Sequence, residues 1–201
     1  HNFWGTIGNG AAVGAGTNVT TPTGATGFSG RVSDMQRTGD GPGSIHILKT
    51  DGTYWNWGFN TYGQLGRNNT TNTSTPTQVM SGVNRMLGGD RGWATNNYQS
   101  SSVILEKTDG TYWISGYNGN GYLADGTATQ RNVFTRMRFP NDFDMIRVGG
   151  LNTTTTGVSY IAEDQNGKLW VWGYNAYYSI GGRTNDNVYI PFENTPKCLN
   201  R

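Results

Sequence analysis

Few residues in this chain could carry out acid–base or nucleophilic chemistry. The 201 residues include two histidines, His1 and His46, and one cysteine, Cys198. A catalytic centre needs a nucleophile, a base and an orienting group, or a set of metal ligands, assembled in one place. His46 lies inside the segment SIHILK, a pattern typical of a histidine packed within a core. The sequence therefore predicts that the chain is not an enzyme.

The acidic residues do not have the spacing of a metal site. Asp51 and Asp109 each precede a glycine, and an aspartate in that position serves a tight turn. Asp142 and Asp144 are close in sequence but lack the ligand pattern of a calcium loop. The glycines fit repeated turns and not a phosphate-binding loop. We therefore expect neither a metal ion nor another cofactor.

Aromatic residues in polar surroundings favour a binding function. The stretch DRGWATNNYQS at 90–100 is one such segment, and NTTTTG at 152–157 takes the equivalent place later in the chain. Exposed tryptophan and tyrosine beside asparagine and arginine are typical of recognition loops. Ordinary packing of the loops is the alternative. The predicted binding residues, on loops at one rim of the fold, are Asp90, Arg91, Trp93, Asn96, Asn97, Tyr98, Tyr122 and Asn152.

An internal repeat supplies the elements that must position these loops. The three copies read TDGTYWNWGFNTYGQLG at 50–66, TDGTYWISGYNGNGYLA at 108–124 and QNGKLWVWGYNAYYSIG at 165–181. Their first tryptophans, Trp55, Trp113 and Trp170, are 58 and 57 residues apart (113 − 55 and 170 − 113). A weaker fourth copy begins at Phe3. Self-similarity at such a period indicates a repeat architecture.

Each copy has the pattern of short antiparallel strands, and no segment has a helical period. A β-branched run such as SIHILK at 44–49 leads into Asp-Gly or Asn-Gly, which predicts a two-residue hairpin turn. The aromatic strand follows, and the repeat has room for about four strands. Apolar residues fall on both faces of the strands, as in sheets that stack face to face. We predict an all-β fold, a β-propeller of four-stranded antiparallel blades, with the repeat tryptophans buried in equivalent positions.

The repeat resembles that of a known propeller family. Residues 51–66 and the Thr-Pro that follows them nearly match the pattern DG-x-x-W-x-W-G-x-N-x-x-G-Q-L-G of the regulator-of-chromosome-condensation family. Later copies depart from it at Ser115, which replaces a tryptophan, and at Tyr178, which replaces a glycine. The resemblance implies a β-propeller, usually of seven blades. It leaves the function open, because the family includes a nucleotide-exchange factor for a small GTPase, secreted inhibitors, and bacterial and viral surface proteins.

The repeats place the whole chain, 1–201, in a single propeller domain or fragment. The predicted units, about three and a half repeats, are approximately 1–30 (partial), 31–85, 86–145 and 146–201. The Trp-Gly half of the repeat occurs four times, whereas the preceding strand with its turn occurs three times. We therefore expect a partial propeller, completed by the remainder of a longer chain or by another subunit.

Composition favours a surface protein. Charged residues make up 14% of the chain and the net charge is only +2, so we expect no nucleic-acid partner. No apolar run approaches the ~18 residues of a membrane span. Low charge with abundant Gly, Thr, Asn and Tyr favours a non-catalytic binding or structural module of an extracellular or virion surface protein. A phage tail fibre or an adhesin is such a protein, and its partner would be a receptor, a glycan or a neighbouring protein.

Two other functions stay open at this point. The first is an intracellular regulator that resembles a guanine-nucleotide exchange factor for a small GTPase. The second is an inhibitor of a secreted enzyme. Both would bind a protein partner, as the surface module would, but an exchange factor is expected to use more charged contact surfaces than 14% charged residues provide.

Overall fold

The chain folds into short strands throughout the part that the structure describes. The computed structural model describes residues 6, 8–10, 24–39, 43–87, 102–141, 143–154, 157–175 and 192–199. The strands are β1 (Val32–Thr38), β2 (Ser44–Lys49), β3 (Tyr54–Gly58), β4 (Thr73–Met80), β5 (Val83–Leu87), β6 (Ile104–Lys107), β7 (Tyr112–Gly116), β8 (Arg131–Arg136), β9 (Met145–Thr154), β10 (Gly157–Asp164), β11 (Leu169–Tyr174) and β12 (Phe192–Cys198). None of the described residues forms a helix long and apolar enough to cross a membrane.

The strands form three four-stranded antiparallel sheets, β1–β4, β5–β8 and β9–β12. Each sheet is a meander in which consecutive strands are hydrogen-bonded neighbours. Each copy of the sequence repeat supplies the hairpin of the two central strands, because its β-branched run and its aromatic run flank the Asp-Gly or Asn-Gly turn. The prediction of an all-β fold with four-stranded antiparallel units is confirmed.

Each central hairpin turns through three residues, not through the two that the sequence predicted. In the first sheet the backbone N–H of Lys49 donates to Thr53 O at 3.0 Å, so that Thr50, Asp51 and Gly52 form the loop. Gly52 has a φ of 76°, in the left-handed region that glycine adopts without steric cost. The Asp51 carboxylate accepts a hydrogen bond from the Thr53 backbone N–H at 3.0 Å, which favours the longer loop. The other two central hairpins close in the same way.

Each sheet is joined to the unit that precedes it by an equivalent hydrogen bond, and this bond occurs three times. Its donor is the side chain at the second tryptophan position of the repeat, and its acceptor is a main-chain carbonyl 51, 51 and 50 residues earlier. The pairs are Trp57 Nε1 with Thr6 O (3.1 Å), Ser115 Oγ with Gln64 O (3.0 Å) and Trp172 Nε1 with Tyr122 O (3.1 Å). The repeat in sequence is therefore also a repeat of contacts in space.

A second set of bonds joins main chain to main chain. Each donor is a backbone N–H in a connecting segment, and each acceptor is a carbonyl in the outer strand of the next sheet. The pairs are Gly10 with Ser74 (3.3 Å), Asn68 with Asn132 (2.7 Å) and Gly126 with Asn194 (2.8 Å). Four-stranded sheets set side by side by constant contacts are the arrangement of propeller blades. We refer to the three sheets as blades 1, 2 and 3.

Hydrophobic clusters fill the spaces between the blades. The cluster between blades 1 and 2 contains Leu48, Tyr54, Val83, Met86, Val103 and Leu105. The cluster between blades 2 and 3 is larger and includes Leu87, Ile104, Tyr112, Ile114, Tyr122, Leu123, Phe143, Met145, Tyr160 and Trp172. The central strands of blade 2 are thus covered on both sides, as the apolar residues on both of their faces indicate.

The first tryptophans of the repeats occupy equivalent positions, but the prediction that they are buried is wrong. In their hairpins they lie opposite Ile47, Leu105 and Ala162, and all three are only half-buried. The reason is their place along the strand. Side chains alternate between faces, so Trp170 shares a face with Trp172 but lies two residues nearer the turn, where the sheet meets solvent. Trp172 is fully buried.

Candidate functional site

The blades present two ends with different connections. We call the turn face the end that carries the hairpin turns 50–52, 108–110 and 165–167. The loop face is the opposite end, where the connections 59–72 and 117–130 leave β3 and β7. Because the strands are antiparallel, the connections that enter β2, β6 and β10 also lie at the loop face. All of the binding residues that the sequence predicted belong to connections or strand ends on this side.

Six of the predicted binding residues lie outside the described residues. They are Asp90, Arg91, Trp93, Asn96, Asn97 and Tyr98, and all belong to the connection between β5 and β6. That connection leaves β5 after Leu87 and enters β6 at Ile104, at the loop face. The role of this segment in binding stays a prediction.

Tyr122 is a core residue and not part of an open recognition surface. Its side chain is only 1% exposed, and its ring packs against Tyr117 and Tyr160, with centroids 5.8 and 6.4 Å away. The amide of Asn120 donates to its hydroxyl at 3.0 Å. The backbone carbonyl of Tyr122 accepts the inter-blade bond from Trp172. Tyr122 takes the position that Gln64 has in the preceding repeat, so its burial follows from the repeat.

Asn152 lies on a strand and not on the loop that the sequence predicted. β9 continues to Thr154 and β10 begins at Gly157, and Asn152 pairs with Val158. The threonines that follow Asn152 have a high strand propensity, which extends the hairpin beyond the apolar run. Only the backbone position of Asn152 is described, at the loop-face end of the sheet.

A buried asparagine holds each described connection of the loop face in place. Asn60 accepts a hydrogen bond from the Leu65 backbone N–H through Oδ1 at 2.9 Å, and its Nδ2 donates to Asn69 O and Thr71 O at 3.0 and 3.2 Å. Asn118 makes the same contacts one repeat later, with Leu123 and Thr127. The asparagine of the repeat pattern is therefore a structural residue, and it makes the loop face a fixed platform.

Two half-buried tyrosines form an aromatic contact between blades at the loop face. The rings of Tyr62 and Tyr117 meet edge to face with centroids 5.8 Å apart. Tyr117 was not among the predicted binding residues. The sequence feature that could have identified it is the aromatic residue after the strand-ending glycine in the three full copies, which is Phe59, Tyr117 or Tyr174. Amphipathic aromatic rings at a fixed surface are well suited to contact a protein partner.

Blade 1 contains a buried polar network around His46. The ring lies between Thr38 Oγ1, 3.1 Å from Nε2, and Tyr54 Oη, 2.6 Å from Nδ1. Asn56 donates to the same tyrosine oxygen at 3.3 Å, and the Arg67 guanidinium donates to Asn56 Oδ1 at 3.0 Å. His46 is 0% exposed. The prediction that His46 is a packed structural residue is confirmed.

The electrostatics of this network keep the histidine neutral. Burial, together with the nearby Arg67 cation, lowers the pKa of His46 to about 3. Burial also raises the pKa of the Tyr54 phenol above its usual value and lowers the pKa of Arg67 to about 10. At neutral pH the network is therefore an uncharged imidazole and phenol beside one guanidinium. Its imidazole and phenol bond to neighbouring side chains inside blade 1.

No candidate metal centre appears among the described residues. No group of three or more His, Cys, Asp or Glu side chains in these ranges lies close enough together to hold an ion. The buried carboxylate of Asp125 bonds to Arg131 Nε at 2.8 Å and to the Thr127 backbone N–H at 2.9 Å. Burial alone would raise the pKa of Asp125, but these hydrogen bonds and the Arg131 charge lower it. This carboxylate is thus engaged in holding the loop.

Comparison with known families agrees with the blade geometry. The family model described as "Regulator of chromosome condensation (RCC1) repeat" matches residues 51–87. The chain carries an RCC1-type repeat. The matched residues run from the hairpin turn of blade 1 to the end of β5, and thus include Trp57, Asn60 and Gly66 of the repeat pattern. The resemblance of the repeat to this family is confirmed.

A curated relative extends the RCC1-type similarity beyond this one repeat. The chain is 27% identical over 151 residues to the mouse (Mus musculus) protein "X-linked retinitis pigmentosa GTPase regulator". The similarity covers 74% of this chain and 14% of that protein. The chain thus spans a small part of the length of this relative.

Solved structures show the same fold. Human WBSCR16 superposes with a TM-score of 0.64 at 19% identity, over 100% of this chain and 46% of that chain. Yeast RCC1 (Prp20), in a structure with Kap60 bound, gives 0.62 at 16%, over 89% and 39%. Prp20p from Saccharomyces cerevisiae, in a structure whose title names binding to Gsp1p and histones, gives 0.63 at 16%, over 87% and 40%. The chain spans less than half of each of these proteins.

These comparisons overturn the extracellular or virion location that the sequence predicted. The chain carries an RCC1-type repeat and is similar to a GTPase regulator, which points away from such a location. Nothing in the comparisons supports a phage tail fibre, an adhesin, a receptor-binding protein or a glycan ligand. The prediction went wrong because low charge and abundant Gly, Thr and Asn reflect the turns and loop-holding side chains of the blades, and carry no information on location.

Proposed function

We propose that the chain is a protein-binding part of an RCC1-type propeller that regulates a small GTPase. The observation that carries the proposal is the RCC1 repeat at 51–87 combined with a similarity to a GTPase regulator over 74% of the chain. A regulator of this kind needs no covalent chemistry. It acts by binding one conformation of its partner more tightly than another, which shifts the population of the two.

The loop face is the surface that we assign to the partner. Its described connections are held by buried Asn60 and Asn118, so little conformational entropy is lost when a protein binds there. The aromatic pair Tyr62 and Tyr117 supplies amphipathic contact area on this face. The connection between β5 and β6, whose sequence contains Trp93 and Tyr98, leaves β5 and enters β6 at the same face. We retain Trp93 as the binding residue to test first.

The experiment measures nucleotide release and binding with a panel of small GTPases. The full chain is added to each GTPase loaded with fluorescent GDP, and affinity for the nucleotide-free form is measured by biolayer interferometry. We expect one GTPase to bind and to release its nucleotide faster. Trp93→Ala should weaken that binding by about 5- to 30-fold, as removal of an interface anchor does, with an unchanged melting temperature.

The control is Met35→Ala, which truncates an exposed apolar side chain in the middle of β1 and should bind the GTPase as the wild type does. Two results would overturn the proposal. One is that no GTPase of the panel binds. The other is that Trp93→Ala lowers the melting temperature while leaving binding unchanged, which would make Trp93 a core residue.

A further inference from the structure

An aromatic groove lies between blades 2 and 3 at the turn-face end, where the backbone N–H of Arg138 donates to Ala124 O of the connection 117–130 at 2.8 Å. A cavity of about 450 Å³ opens there, lined by Arg136, Met137, Arg138, Phe139, Pro140, Asn141, Trp170 and Pro196. A second cavity of about 120 Å³ lies against the same segment, on the side of the Asp109 turn. The two cavities lie on either side of residues 136–141. We call this segment, together with the surfaces of both cavities, the 136–141 groove.

The groove exists because blade 2 departs from the repeat. Blade 1 is linked to blade 2 by only Ser81 and Gly82, whereas residues 137–144 link blade 2 to blade 3. The position of Arg136 opposite Trp113 is taken in blade 1 by Gln78, opposite Trp55. The repeat therefore does not account for the cationic residue at this position, nor for the longer link that follows it.

The floor of the groove is aromatic and rigid. Phe139 stacks on Phe143 with centroids 3.9 Å apart and an interplanar angle of 3°, and both rings meet Trp170 edge to face. The Trp170 indole is fixed because its N–H donates to Asp164 at 2.9 Å. The backbone N–H of Met137 donates to Tyr112 O at 2.8 Å, which holds the segment against β7. A fixed aromatic surface loses little entropy when a ligand binds.

The two arginines at the groove have no ion-pair partner among the described residues. Both are exposed, whereas three other arginines are paired with carboxylates in the same part of the chain. Those pairs are Arg85 with Glu106, Arg131 with Asp125 and Arg147 with Glu163. Asp109 is the acidic residue that lines either cavity, and its carboxylate accepts hydrogen bonds from the Thr111 hydroxyl and backbone N–H. The groove thus presents net positive charge.

We propose that the 136–141 groove binds an extended acidic peptide segment of a partner protein, with carboxylates on Arg136 and Arg138 and an apolar side chain on the Phe139–Trp170 surface. Residues two apart on an extended chain are about 6.8 Å apart and point to the same side. Arg136 and Arg138 are two residues apart in sequence and both are exposed, with the buried Met137 between them, and two acidic residues of an extended peptide would have a matching separation. Arginine–carboxylate pairs are among the stronger hydrogen bonds in proteins, and aromatic grooves accept apolar peptide side chains.

The test uses the full chain and a fluorescein-labelled peptide, Gly-Ser-Glu-Ser-Glu-Phe-Leu-Gly-Ser. We expect saturable binding by fluorescence anisotropy that weakens as NaCl is raised, because salt screens exposed charges. Replacement of both peptide glutamates by glutamine, or of Phe-Leu by Ser-Ser, should abolish it. The double variant Arg136→Gln/Arg138→Gln should bind the acidic peptide at least about tenfold more weakly, with an unchanged melting temperature.

The control is Arg31→Gln, which makes one such substitution at an exposed arginine of the first blade and should bind as the wild type does. Equal binding of the peptide to wild type and double variant would overturn the proposal. So would preferential binding of duplex DNA, or self-association of the chain that the double variant abolishes. The result is separable from the GTPase proposal, since Trp93→Ala should leave peptide binding intact.

Discussion

Asp164 and Trp170 are joined by a hydrogen bond from the indole Nε1 to the carboxylate Oδ2, 2.9 Å long. In the first two blades the residue at the position of Asp164 is a lysine, which closes the hairpin with the same backbone bond. Lys49 Nζ lies over the Trp55 ring, 4.5 Å from its centroid, and so bonds to the ring face. The half-buried tryptophan is thus held by a lysine in blades 1 and 2 and by an aspartate in blade 3.

The aspartate should therefore matter more to stability than the aspartate of a regular turn. Burial alone would raise the pKa of Asp164, but hydrogen bonds from Trp170 and from the backbone N–H groups of Lys168 and Asn166 lower it. Asp164→Ala leaves these donors without a partner and should cost roughly 1–3 kcal/mol of unfolding free energy. Asp51→Ala, at an exposed turn, should cost less. Urea denaturation of both variants measures the difference, and equal losses would contradict it.

Stability should fall between neutral and mildly acidic pH because of His46. Its folded pKa, about 3, is below the 6.5 of a solvent-exposed histidine, so in this interval only the unfolded chain takes up the proton. Stability is therefore complete above pH 6.5 and is lost as the pH falls, by about 1.4 kcal/mol per pH unit. Between pH 7 and pH 5 the loss should be about 2 kcal/mol.

The control for this pH dependence is His46→Gln, which cannot take up the proton. Urea denaturation at pH 7, 6 and 5, followed by tryptophan fluorescence, should give a smaller slope for the variant than for the wild type. The aspartates with lowered pKa values titrate below 3.8 and do not contribute in this window. Parallel slopes for the two proteins would show that His46 is not the residue responsible.

Ala124 should be a site where glycine stabilises the fold. Its φ is 50°, in the left-handed region. Ala124 follows two residues after Tyr122, and Gly8 and Gly66 follow two residues after Thr6 and Gln64, which accept the same inter-blade bond. An L-residue pays about 1–2 kcal/mol there, part of which glycine loses again in the unfolded chain. Ala124→Gly should therefore raise the unfolding free energy by up to about 1 kcal/mol.

The reciprocal variant, Gly66→Ala, tests the same explanation. Gly66 has a φ of 65°, and a Cβ there would overlap the Phe134 ring. This substitution should destabilise the protein by more than about 1–2 kcal/mol, since strain and steric overlap add. A destabilised Ala124→Gly, or a neutral Gly66→Ala, would contradict the assignment of these positions, and differential scanning calorimetry measures both.

Two tryptophans of one strand should differ in their contribution to stability. Trp172 is fully buried and its indole bonds to Tyr122 O in the preceding blade, whereas Trp170 is half-buried. Trp172→Ala should cost about 3–5 kcal/mol, and Trp170→Ala distinctly less. Chemical denaturation of the two variants gives the comparison, and a larger loss for Trp170→Ala would reverse the ranking.

The sequence predicted the blade but not the details of burial. The four-stranded pattern and the structural role of His46 could be predicted because strand alternation, turn residues and the repeat all favour the same fold. The half-burial of Trp55 could not, because it depends on which end of the strand meets solvent. Tyr122 was misassigned for the opposite reason. A polar loop composition suggested exposure, while the repeat had already placed Gln64 in the same buried position.

Of the candidate site, the sequence could predict only that it lies on loops at one rim of the fold. Topology brings the backbone of Asn152 to the loop-face end of the blades, as expected from alternating strand directions. The 136–141 groove was not predicted, although its signal is present in the sequence. Arg136 and Phe139 belong to a link that is longer than the link after blade 1, and they have no place in the repeat.

The bonds between blades end on the main-chain carbonyls of Thr6, Gln64 and Tyr122, whatever side chain those residues carry. Such a joint tolerates divergence, because any amino acid offers the same acceptor. Gene duplication or loss of a whole unit would then leave the remaining joints chemically intact, and neighbouring copies could drift far apart in sequence before assembly suffered. The variable parts of this protein are thus free to evolve new partners on a scaffold whose connectors require a particular side chain only on the donor strand.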